Sequence, residues 1–425
     1  MDLIAELKAR NLIQDIIPGT AEQLNKEMTS GYIGFDPTAD SLHVGNLVPI
    51  TLLMRMQRAG HKPWALVGGA TGMIGDPSGK SQERNLLDIT EIRKNEAAIR
   101  KQLEKFLDFD PAKPNAAVMV NNFDWFSGIS FLDFIRDVGK HISINYMMSK
   151  DSVKNRLETG MSFTEFTYQL IQGYDFYHLF RTHDVKLQMG GADQWGNIVT
   201  GTELIRRKHG GDAFACTCKL ITKSDGTKFG KSEGGNIWLD RNRTSPYKFY
   251  QFWLKQADAD AESMALTFSF KPVEELTSLF EEHRTAPHLR KLQKALAEEL
   301  TILVHSQEDL DFARQASEIL FSNSAVEALK QLDETQLLEV MDGVPRVTGS
   351  KAALESGTEI ISFLAESGIL PSKGEARKML QNGGVSLNKE KIQSTDLSLE
   401  VHHLLNGKYM LFQKGKSNYF LAVFE

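Results

Sequence analysis

The stretch GFDPTADSLHVGN, residues 34–46, decides the fold, because it joins a short apolar run to a helical pattern. The run at 32–35 is typical of a strand. After the stretch, apolar residues recur at helical spacing as far as Met54, and Gly60 provides a stop. Residues 63–67 then form a second strand. The three elements fit one parallel βαβ unit, whose loop can meet an anionic group at a helix N-terminus.

Three residues of this loop suit a nucleotide. Gly45 has no side chain, so a flat base could lie against its backbone. His43 can donate a hydrogen bond to a phosphate while it is neutral, and Thr38 adds a hydroxyl donor. On spacing alone the pattern is weak, since a histidine before a glycine is more often a solvated or capping residue. The position of the loop nevertheless predicts a nucleotide site.

The composition is that of an ordinary globular protein. The 425 residues exceed one typical core, so we expect two to three domains, and 41% hydrophobic with 24% charged residues is usual. No secretory signal and no run of about 18 apolar residues is found, which predicts a cytoplasmic protein without a membrane span. Cys216 and Cys218 are expected to be reduced thiols, since two ligands cannot make a zinc site.

The charge is unevenly distributed. The net charge of −6 argues against a whole surface built for nucleic acid. Residues 371–425, however, contain eight lysines and arginines against five acidic residues, a net charge of +3 that leaves −9 on the rest of the chain. Ser372 and Glu375 form a capping pair at the start of a helix, and a strand and a hairpin follow. A small α+β module in contact with a polyanion is therefore predicted.

Two further stretches supply polar groups to the same edge of the predicted sheet. In residues 162–176, Tyr168, Gln172 and Asp175 share one helix face among aromatic residues. Buried polar groups need partners, and a small polar substrate would be one; a fully solvated face is the alternative. The GGADQWGN stretch, residues 190–197, follows a predicted strand, which is where doubly wound folds hold ligands.

Three more segments have roles that the residues alone leave open. In the glycine-rich loop at 68–79, Asp76 could receive an ammonium group or bond its own backbone as a turn aspartate. After an expected strand at 219–222, the loop at 223–235 has three lysines and four glycines, and it could close over a polyphosphate or be an exposed hairpin turn. The basic run at 206–208 could simply complement a helix dipole.

The pairing of HVGN at 43–46 with KFGKS at 228–232 is more specific than either motif and resembles the two signatures of class I aminoacyl-tRNA synthetases. The longer stretches at 34–46, 68–79, 162–175, 191–197 and 223–232 resemble the bacterial tyrosyl-tRNA synthetases. Two departures from the class signatures are present. Asn46 stands where the class has histidine, and we expect function to be retained with altered nucleotide contacts. Phe229-Gly230 replaces Met-Ser, a variant typical of the tyrosyl branch.

The resemblance covers essentially the whole chain and implies its architecture. The expected fold is α/β, a Rossmann-like doubly wound parallel sheet with a helical insertion, followed by an α-helical domain and a small α+β S4-like RNA-binding domain. The implied limits are 1–222 for the catalytic domain with a dimer-forming insertion at about 120–190, 223–240 for a mobile KFGKS loop, 241–340 for the helical domain, 341–356 for a linker and 357–425 for the S4-like domain.

The resemblance also implies roles for individual residues. Tyr32 and Asp175 would bond the phenolic hydroxyl of tyrosine. The full tyrosine-binding set is Tyr32, Asp76, Asn122, Tyr168, Gln172, Asp175 and Gln194. The ATP-binding set is Gly34, Asp36, His43, Gly45, Gly191, Asp193 and Lys231. The residues implied in catalysis on the phosphates are Thr38, His43, Asn46, Lys228, Lys231 and Ser232. The implied tRNA contacts are Arg206, Arg207, Lys208, Arg377, Lys378, Lys408, Lys414 and Lys416.

The implied activity is that of a tyrosine–tRNA ligase acting as a homodimer. Tyrosine would attack ATP to give tyrosyl-adenylate and pyrophosphate, and the terminal adenosine of tRNA(Tyr) would then take the tyrosyl group. Positioning and charge neutralisation should dominate both steps. Mg²⁺ would accompany ATP without a dedicated protein site, and we expect no metal ligands and no editing domain.

Three other functions share some of these sequence features. A nucleotidyltransferase with a similar first motif would lack the basic module and the polar stripe. A tryptophanyl-tRNA synthetase should have no hydroxyl-bonding pair at Tyr32 and Asp175. An RNA-binding or splicing protein derived from a synthetase would lack amino-acid-dependent exchange of pyrophosphate with ATP, although both signature motifs remain.

Overall fold

A six-stranded sheet forms the centre of the first of two compact units, which comprises Met1–Thr244 and Phe252–Val304. Five strands run parallel in the order β6, β5, β2, β3, β4, and β1 pairs antiparallel with β6 at the edge. The strands are β1 (Ile13–Ile16), β2 (Ser30–Phe35), β3 (Lys62–Val67), β4 (Val118–Asn121), β5 (Val185–Gly191) and β6 (Phe214–Cys218).

In this computed structural model the described residues are 2–78, 87–157, 160–226, 229–232, 235–321, 326–341, 344–415 and 418–425, and the side chains of 155–157, 231–232, 318–321 and 326–328 are not described. The helices of the first unit are Leu3–Ala9, Thr20–Lys26, Leu47–Arg58, Ile89–Leu103, Phe123–Phe126, Phe131–Asp137, Ile144–Met148, Asp151–Leu157, Phe163–His183, Trp195–His209, Asp258–Phe268, Val273–Thr285 and Lys291–Val304. A short two-stranded ribbon pairs Lys231–Ser232 with Gly235–Asn236. Among the described helices, none combines the length and apolar character needed to cross a bilayer.

Helices cover both faces of the sheet. Gly31 lies against Met56 of the helix Leu47–Arg58, whereas the next residue, Tyr32, has its ring 5.5 Å from that of Phe176. Successive residues of a strand point to opposite faces, so these two helical layers enclose β2. Tyr32 and its neighbours in β2 are accordingly almost fully buried, as expected of a central parallel strand. The predicted doubly wound arrangement is confirmed.

The second unit comprises Ser245–Gln251 and His305–Glu425. Its five-stranded sheet has the order Glu390–Lys391, Val385–Leu387, Tyr409–Lys414, Asn418–Phe424 and Arg346–Gly349, and a small ribbon pairs Thr358–Glu359 with Ser398–Leu399. The helices are Gln307–Phe321, Val326–Gln331, Glu334–Val340, Lys351–Glu355, Ile360–Glu366 and Lys373–Gln381, and Pro246–Leu254 begins within this unit. The predicted α+β module therefore exists as a sheet with helices around one apolar core.

Three segments differ from the sequence prediction. The edge strand β1 was not predicted, because its pairing partner β6 lies about two hundred residues later in the chain. The strand expected at 219–222 is wrong: the strand is β6, which is buried, whereas Leu220 is 55% exposed. The linker expected at 341–356 is also wrong in part, since Arg346–Gly349 pairs in parallel with Asn418–Phe424.

Candidate functional site

The candidate site lies at the carboxyl ends of the parallel strands. The loops that follow β2, β3 and β5 begin at Asp36, Gly68 and Ala192, and all three leave the sheet at this edge. Ligands bind at this edge in doubly wound folds because the loops converge there. The helix Phe163–His183 passes alongside and contributes polar side chains from one face. The predicted polar stripe is therefore turned inward, and the solvated alternative is wrong for Tyr168 and Asp175, which are 4% and 2% exposed.

Asp175 forms the deepest part of the site. Its carboxylate accepts a hydrogen bond of 3.0 Å from Asn122 Nδ2 and one of 2.9 Å from Trp125 Nε1. Burial raises the pKa of Asp175 to about 8, although the two bonds act in the opposite direction. The Tyr32 hydroxyl is buried and has no hydrogen-bond partner among the described residues. Burial and the nearby Asp175 charge raise the pKa of Tyr32 well above its ordinary value.

Asp36 connects this deep end with the loop after β3. Its two carboxylate oxygens accept hydrogen bonds of 2.7 Å from Tyr168 Oη and 2.7 Å from Thr71 Oγ1. Asn122 Nδ2 also lies 3.0 Å from Thr71 Oγ1, so Asp36 and Asp175 belong to one network. The sequence assigned Asp36 to adenosine and Tyr168 to tyrosine. The structure joins the two directly, which places Asp36 between the two predicted subsites.

A second network joins the loops after β3 and β5. Asp76 accepts a hydrogen bond of 2.7 Å from Gln194 Nε2 and one of 2.9 Å from the backbone N–H of Ser78. The turn interpretation of this aspartate is therefore correct, and its role toward an ammonium group stays a prediction. Asn197 Nδ2 donates to Gln172 Oε1 at 3.0 Å and lies 3.3 Å from Gln194 Oε1. Of the seven residues predicted for tyrosine, three belong to this network (Asp76, Gln172 and Gln194) and four lie around Asp175 and Asp36 (Tyr32, Asn122, Tyr168 and Asp175).

The His43 corner begins the helix that leaves β2. The Nδ1 atom of His43 accepts a hydrogen bond of 3.0 Å from the backbone N–H of Gly45, so a neutral imidazole has its proton on Nε2. A Cβ at residue 45 would lie 2.7 Å from the imidazole, which gives a direct reason for glycine there. Asn46 accepts a 3.0 Å hydrogen bond from the backbone N–H of His43. The capping interpretation of His43 is therefore correct, and the N–H of its neutral imidazole is on Nε2.

The predicted lysine segment meets this corner through its backbone. A Cβ on Gly230 would lie 3.1 Å from Val44 and 3.5 Å from the backbone nitrogen of Gly45. Ile237 bridges the two segments, because its N–H donates to Gly230 and its carbonyl accepts from Val44. Lys231 and Ser232 form a strand beside Gly235–Asn236. Lys228 lies outside the described residues, as do the side chains of Lys231 and Ser232.

The remaining nucleotide residues are accessible. Gly34 and Thr38 are exposed, and Gly191 is partly buried at the end of β5 beside Asp193. Leu220, although predicted as part of a strand, lies over Gly191, since a Cβ there would be 3.1 Å from Leu220 Cδ2. The absence of a side chain at Gly191 therefore lets Leu220 and Asp193 lie close to the backbone at the end of β5.

The residues predicted for tRNA are divided between the two units of the chain. Arg206 and Arg207 both bond Glu203, at 2.8 and 2.5 Å, and these arginines lower the pKa of Glu203 to about 2. Lys208 Nζ donates to the carbonyl of Asp137. These three basic residues therefore bond neighbouring groups of the same unit, in addition to lying at a helix C-terminus where the dipole favours cations. In the second unit Arg377 and Lys378 are exposed, Lys414 is partly exposed, Lys408 lies 3.6 Å from Glu334, and Lys416 is outside the described residues.

Sequence reasoning missed three contributors to the site. Trp125 and Thr71 bond Asp175 and Asp36, and Asn197 joins Gln172 to Gln194. The only signal in the sequence was position, since each follows the carboxyl end of a predicted strand. Among the described residues no group of three or more histidines, cysteines or carboxylates is arranged to hold a metal. The two cysteines are free and buried in β6.

Comparisons with known proteins agree with this geometry. The family model described as tRNA synthetases class I (W and Y) matches residues 24–322, and the tyrosine--tRNA ligase SYY-like C-terminal domain matches residues 336–422. Curated tyrosine--tRNA ligases of Bacteroides thetaiotaomicron and Parabacteroides distasonis are each 58% identical over 428 residues, with 100% of both chains covered. The relative from Porphyromonas gingivalis is 57% identical over 430 residues, again with 100% of both chains covered.

A solved structure shows the same likeness. The C-terminally truncated mitochondrial tyrosyl-tRNA synthetase of Aspergillus nidulans is 30% identical with a TM-score of 0.66, and the match covers 75% of this chain and 94% of that one. The two family models together span most of the chain, and full-length relatives exceed half identity. The chain belongs to the class I tRNA synthetases and, within them, to the tyrosine--tRNA ligase family.

Proposed function

We propose that this protein is a tyrosine–tRNA ligase that activates tyrosine with ATP and transfers it to the 3′-terminal adenosine of tRNA(Tyr). The observation that carries the choice of tyrosine is the Tyr32 hydroxyl, which is buried without a described partner beside Asp175. A buried polar group without a partner costs about 1–3 kcal/mol, and a phenolic hydroxyl between Tyr32 and Asp175 would supply the missing bond. An indole offers no hydroxyl, which disfavours tryptophan.

The other end of tyrosine is assigned to the second network. Asp76 is the carboxylate there, and Gln194 already bonds it at 2.7 Å. A substrate ammonium near Asp76, Tyr168 and Gln172 would gain one charged and two neutral acceptors. The two networks would therefore receive the two polar ends of one amino acid. Tyrosyl-tRNA synthetases are themselves the established example of the resulting selectivity, which rejects phenylalanine on the order of 10⁵-fold without editing.

ATP is assigned to the surface between the His43 corner and Gly191. His43 Nε2 and Thr38 would donate to phosphate, while Gly34, Gly191 and Asp193 would contact the adenosine and Asp36 would lie beside it. Lys228 and Lys231 would neutralise charge as pyrophosphate leaves, and Ser232 would add a hydroxyl. The proximity of Gly230 to Gly45 supports this, because it brings the lysine-bearing backbone to the histidine. Mg²⁺ belongs to the proposal as a companion of ATP.

The chemistry needs no protein nucleophile. The tyrosine carboxylate attacks the α-phosphate of ATP, the bond to the β-phosphate oxygen breaks, and pyrophosphate departs. A ribose hydroxyl of tRNA then attacks the carbonyl carbon of the adenylate and AMP departs. The described residues act by orienting both reactants and by stabilising developing charge, which are the effects that preorganised donors provide.

The exposed apolar residues of the predicted insertion are the proposed contact with a second copy of the chain. Large hydrophobic side chains in the predicted insertion are unusually accessible: Phe131, Leu132, Ile135, Ile144, Met148 and Phe163, with exposures of 64, 76, 46, 64, 39 and 67%. Soluble proteins seldom expose so many apolar residues within 33 consecutive positions unless a partner covers them. The family resemblance names the partner as a second protomer. The basic residues at 206–208 and in the second unit are the proposed tRNA contacts. The proposed location of the enzyme is the cytoplasm.

The direct test is exchange of pyrophosphate with ATP, measured with each of the twenty amino acids. Tyrosine alone should support exchange at a rate well above background. Exchange with tryptophan instead would support the sibling enzyme. A complete lack of exchange, in a protein that still binds tRNA, would support the RNA-binding alternative.

A further inference from the structure

Two arginines are almost fully buried in the first unit although the proposed chemistry does not use them. Arg55, on the helix Leu47–Arg58, is 1% exposed, and Arg10, at the end of the helix Leu3–Ala9, is 3% exposed. Both bond the carboxylate of Glu6, at 2.5 and 3.1 Å. Burial, together with the nearby Arg10 charge, lowers the pKa of Arg55 to about 10. Such a charged pair is costly to bury unless its remaining donors are satisfied.

Other donors of the two guanidinium groups go to the end of one helix, whereas Arg55 Nε has no hydrogen-bond partner among the described residues. Arg55 Nη2 donates to the carbonyls of Ser269 at 2.6 Å and Thr267 at 3.3 Å. Arg10 donates to the carbonyls of Ser269 at 3.0 Å and Lys271 at 2.6 Å. These carbonyls lie at and just beyond the C-terminal end of Asp258–Phe268, where helices leave acceptors unsatisfied and favour cations.

The same segment is held from another direction. Glu299 accepts hydrogen bonds from Ser269 Oγ at 2.6 Å and from the backbone N–H of Phe270 at 2.7 Å. The guanidinium of Arg55 also lies 4.6 Å from the centre of the Phe270 ring. Residues 266–271 therefore have little freedom to move relative to the helix that bears Arg55.

Phe268, inside this clamped segment, reaches the lysine motif. Its ring is fully buried and stacks on Phe229, with the centroids 5.5 Å apart and the planes at 25°. Trp253 packs against both rings, at 5.0 and 5.8 Å. Phe229 directly precedes Gly230, which lies close to Val44 and Gly45 in the turn just before the Arg55 helix. The contacts therefore form a path from Arg55 back to the segment that precedes its own helix.

We propose that Arg55, assisted by Arg10, is a positioning residue for adenylate formation: it fixes Phe268, and Phe268 fixes Phe229 and Gly230 against the His43 corner. The inference deepens the proposed function, on which it rests. A merely structural arginine would affect stability and every ligand alike. A positioning residue should affect the step in which ATP reacts, and leave tyrosine binding nearly unchanged, because the tyrosine networks lie on the other side of β2.

The first experiment compares Arg55→Met, Arg55→Lys and the control Arg58→Met in the full chain. Arg58 lies on the same helix over the Phe270 ring but is exposed. Rapid-mixing measurements give the rate of tyrosyl-adenylate formation at saturating ATP, and equilibrium dialysis gives the tyrosine Kd. Arg55→Met should slow adenylate formation at least tenfold with a tyrosine Kd within twofold, Arg55→Lys should recover part of the rate, and Arg58→Met should stay within twofold. A normal rate in Arg55→Met, or a Kd weakened in proportion to the rate, would overturn the inference.

A second experiment covers the case in which Arg55→Met does not fold. Phe268→Leu leaves every backbone acceptor of the clamp in place and removes the stack on Phe229, so it should also slow adenylate formation with little change in tyrosine Kd. In the double variant Arg55→Lys with Phe268→Leu, the loss in the rate of adenylate formation should not exceed the larger single-variant loss by more than about twofold, since both changes act along one path. Independent, multiplying losses would overturn the inference.

Lys231→Ala separates this inference from the proposal beneath it. A normal rate of adenylate formation in Lys231→Ala would refute the proposed role of the lysine segment itself. A slow Lys231→Ala together with a normal Phe268→Leu would instead leave that role intact and refute only the positioning path.

Discussion

Replacing Tyr32 by phenylalanine should make the protein more stable and a poorer tyrosine enzyme. The hydroxyl removed is buried without a described partner, so its loss relieves part of a desolvation cost of about 1–3 kcal/mol. The aromatic ring, which packs edge-on against Phe176 at 5.5 Å, is kept. We therefore expect the free energy of unfolding to rise by roughly 1 kcal/mol, within that cost.

The same change removes one hydrogen bond to the substrate phenol. A bond between neutral groups contributes about 0.5–1.5 kcal/mol, so kcat/KM for tyrosine should fall about two- to twelvefold. The ratio of kcat/KM for tyrosine to that for phenylalanine should fall by the same factor, because phenylalanine never made this bond. Pyrophosphate exchange with each amino acid measures the ratio, and urea unfolding measures stability.

Tyr146→Phe is the matched control. Its hydroxyl donates to the carbonyl of Val199 at 3.2 Å, so its removal should lower stability and leave the tyrosine-to-phenylalanine ratio unchanged. Lower stability in Tyr32→Phe, or an unchanged ratio of kcat/KM for tyrosine to that for phenylalanine, would show that the Tyr32 hydroxyl does not bind the substrate phenol.

Asp175→Ala should reduce tyrosine activation by orders of magnitude while leaving the fold intact, and normal pyrophosphate exchange would refute its role. The pKa of Asp175 is about 8 in the folded chain and 3.8 ordinarily, so as pH rises the unfolded chain ionises first and the contribution of Asp175 to stability falls between about pH 4 and pH 8. The free energy of unfolding in urea should therefore differ less between pH 5 and pH 8 in Asp175→Asn than in the unchanged protein. An equal pH difference in the two proteins would contradict this. A chain that ends before Arg346 should still form tyrosyl-adenylate but fail to charge tRNA, because it lacks the basic module; the cut falls there because Arg346–Gly349 pairs with Asn418–Phe424 in the sheet of that module. Normal charging of tRNA by the shortened chain would exclude a role for the module. Leu132→Glu should weaken the proposed dimer, and sedimentation showing an unchanged dimer at low concentration would remove this patch from the interface.

The βαβ unit around residues 31–67 could be predicted because its signals are local. Apolar spacing, a turn and a glycine stop all occur within one short stretch, and the structure has β2, the helix Leu47–Arg58 and β3 there. Gly60 has a φ of 90°, which explains why the helix stops before it. β1 could not be predicted in this way, since a four-residue edge strand shows little pattern and forms through a distant partner.

The sequence predicts residues that the structure brings together in the candidate site, but it does not predict the hydrogen bonds that connect them. Tyr168, Gln172 and Asp175 follow from helix periodicity, and the resemblance supplied the rest of the tyrosine set. The bond from Tyr168 to Asp36 joins residues 132 positions apart, and the bond from Trp125 to Asp175 joins residues 50 apart. Such contacts depend on how the loops after β2 and β4 pack against the helix Phe163–His183. No spacing rule in the sequence contains that information.

The position of Trp125 gives the pocket a built-in optical reporter. The indole donates to the Asp175 carboxylate and stacks on His178, with the ring centroids 4.5 Å apart and the planes at 17°. Burial lowers the pKa of His178 to about 4, so this neighbour stays neutral at ordinary pH and adds no charge-dependent quenching of its own. A phenol arriving at Asp175 alters the electric field along the indole. Its emission wavelength should therefore shift as the pocket fills, without any label on the amino acid.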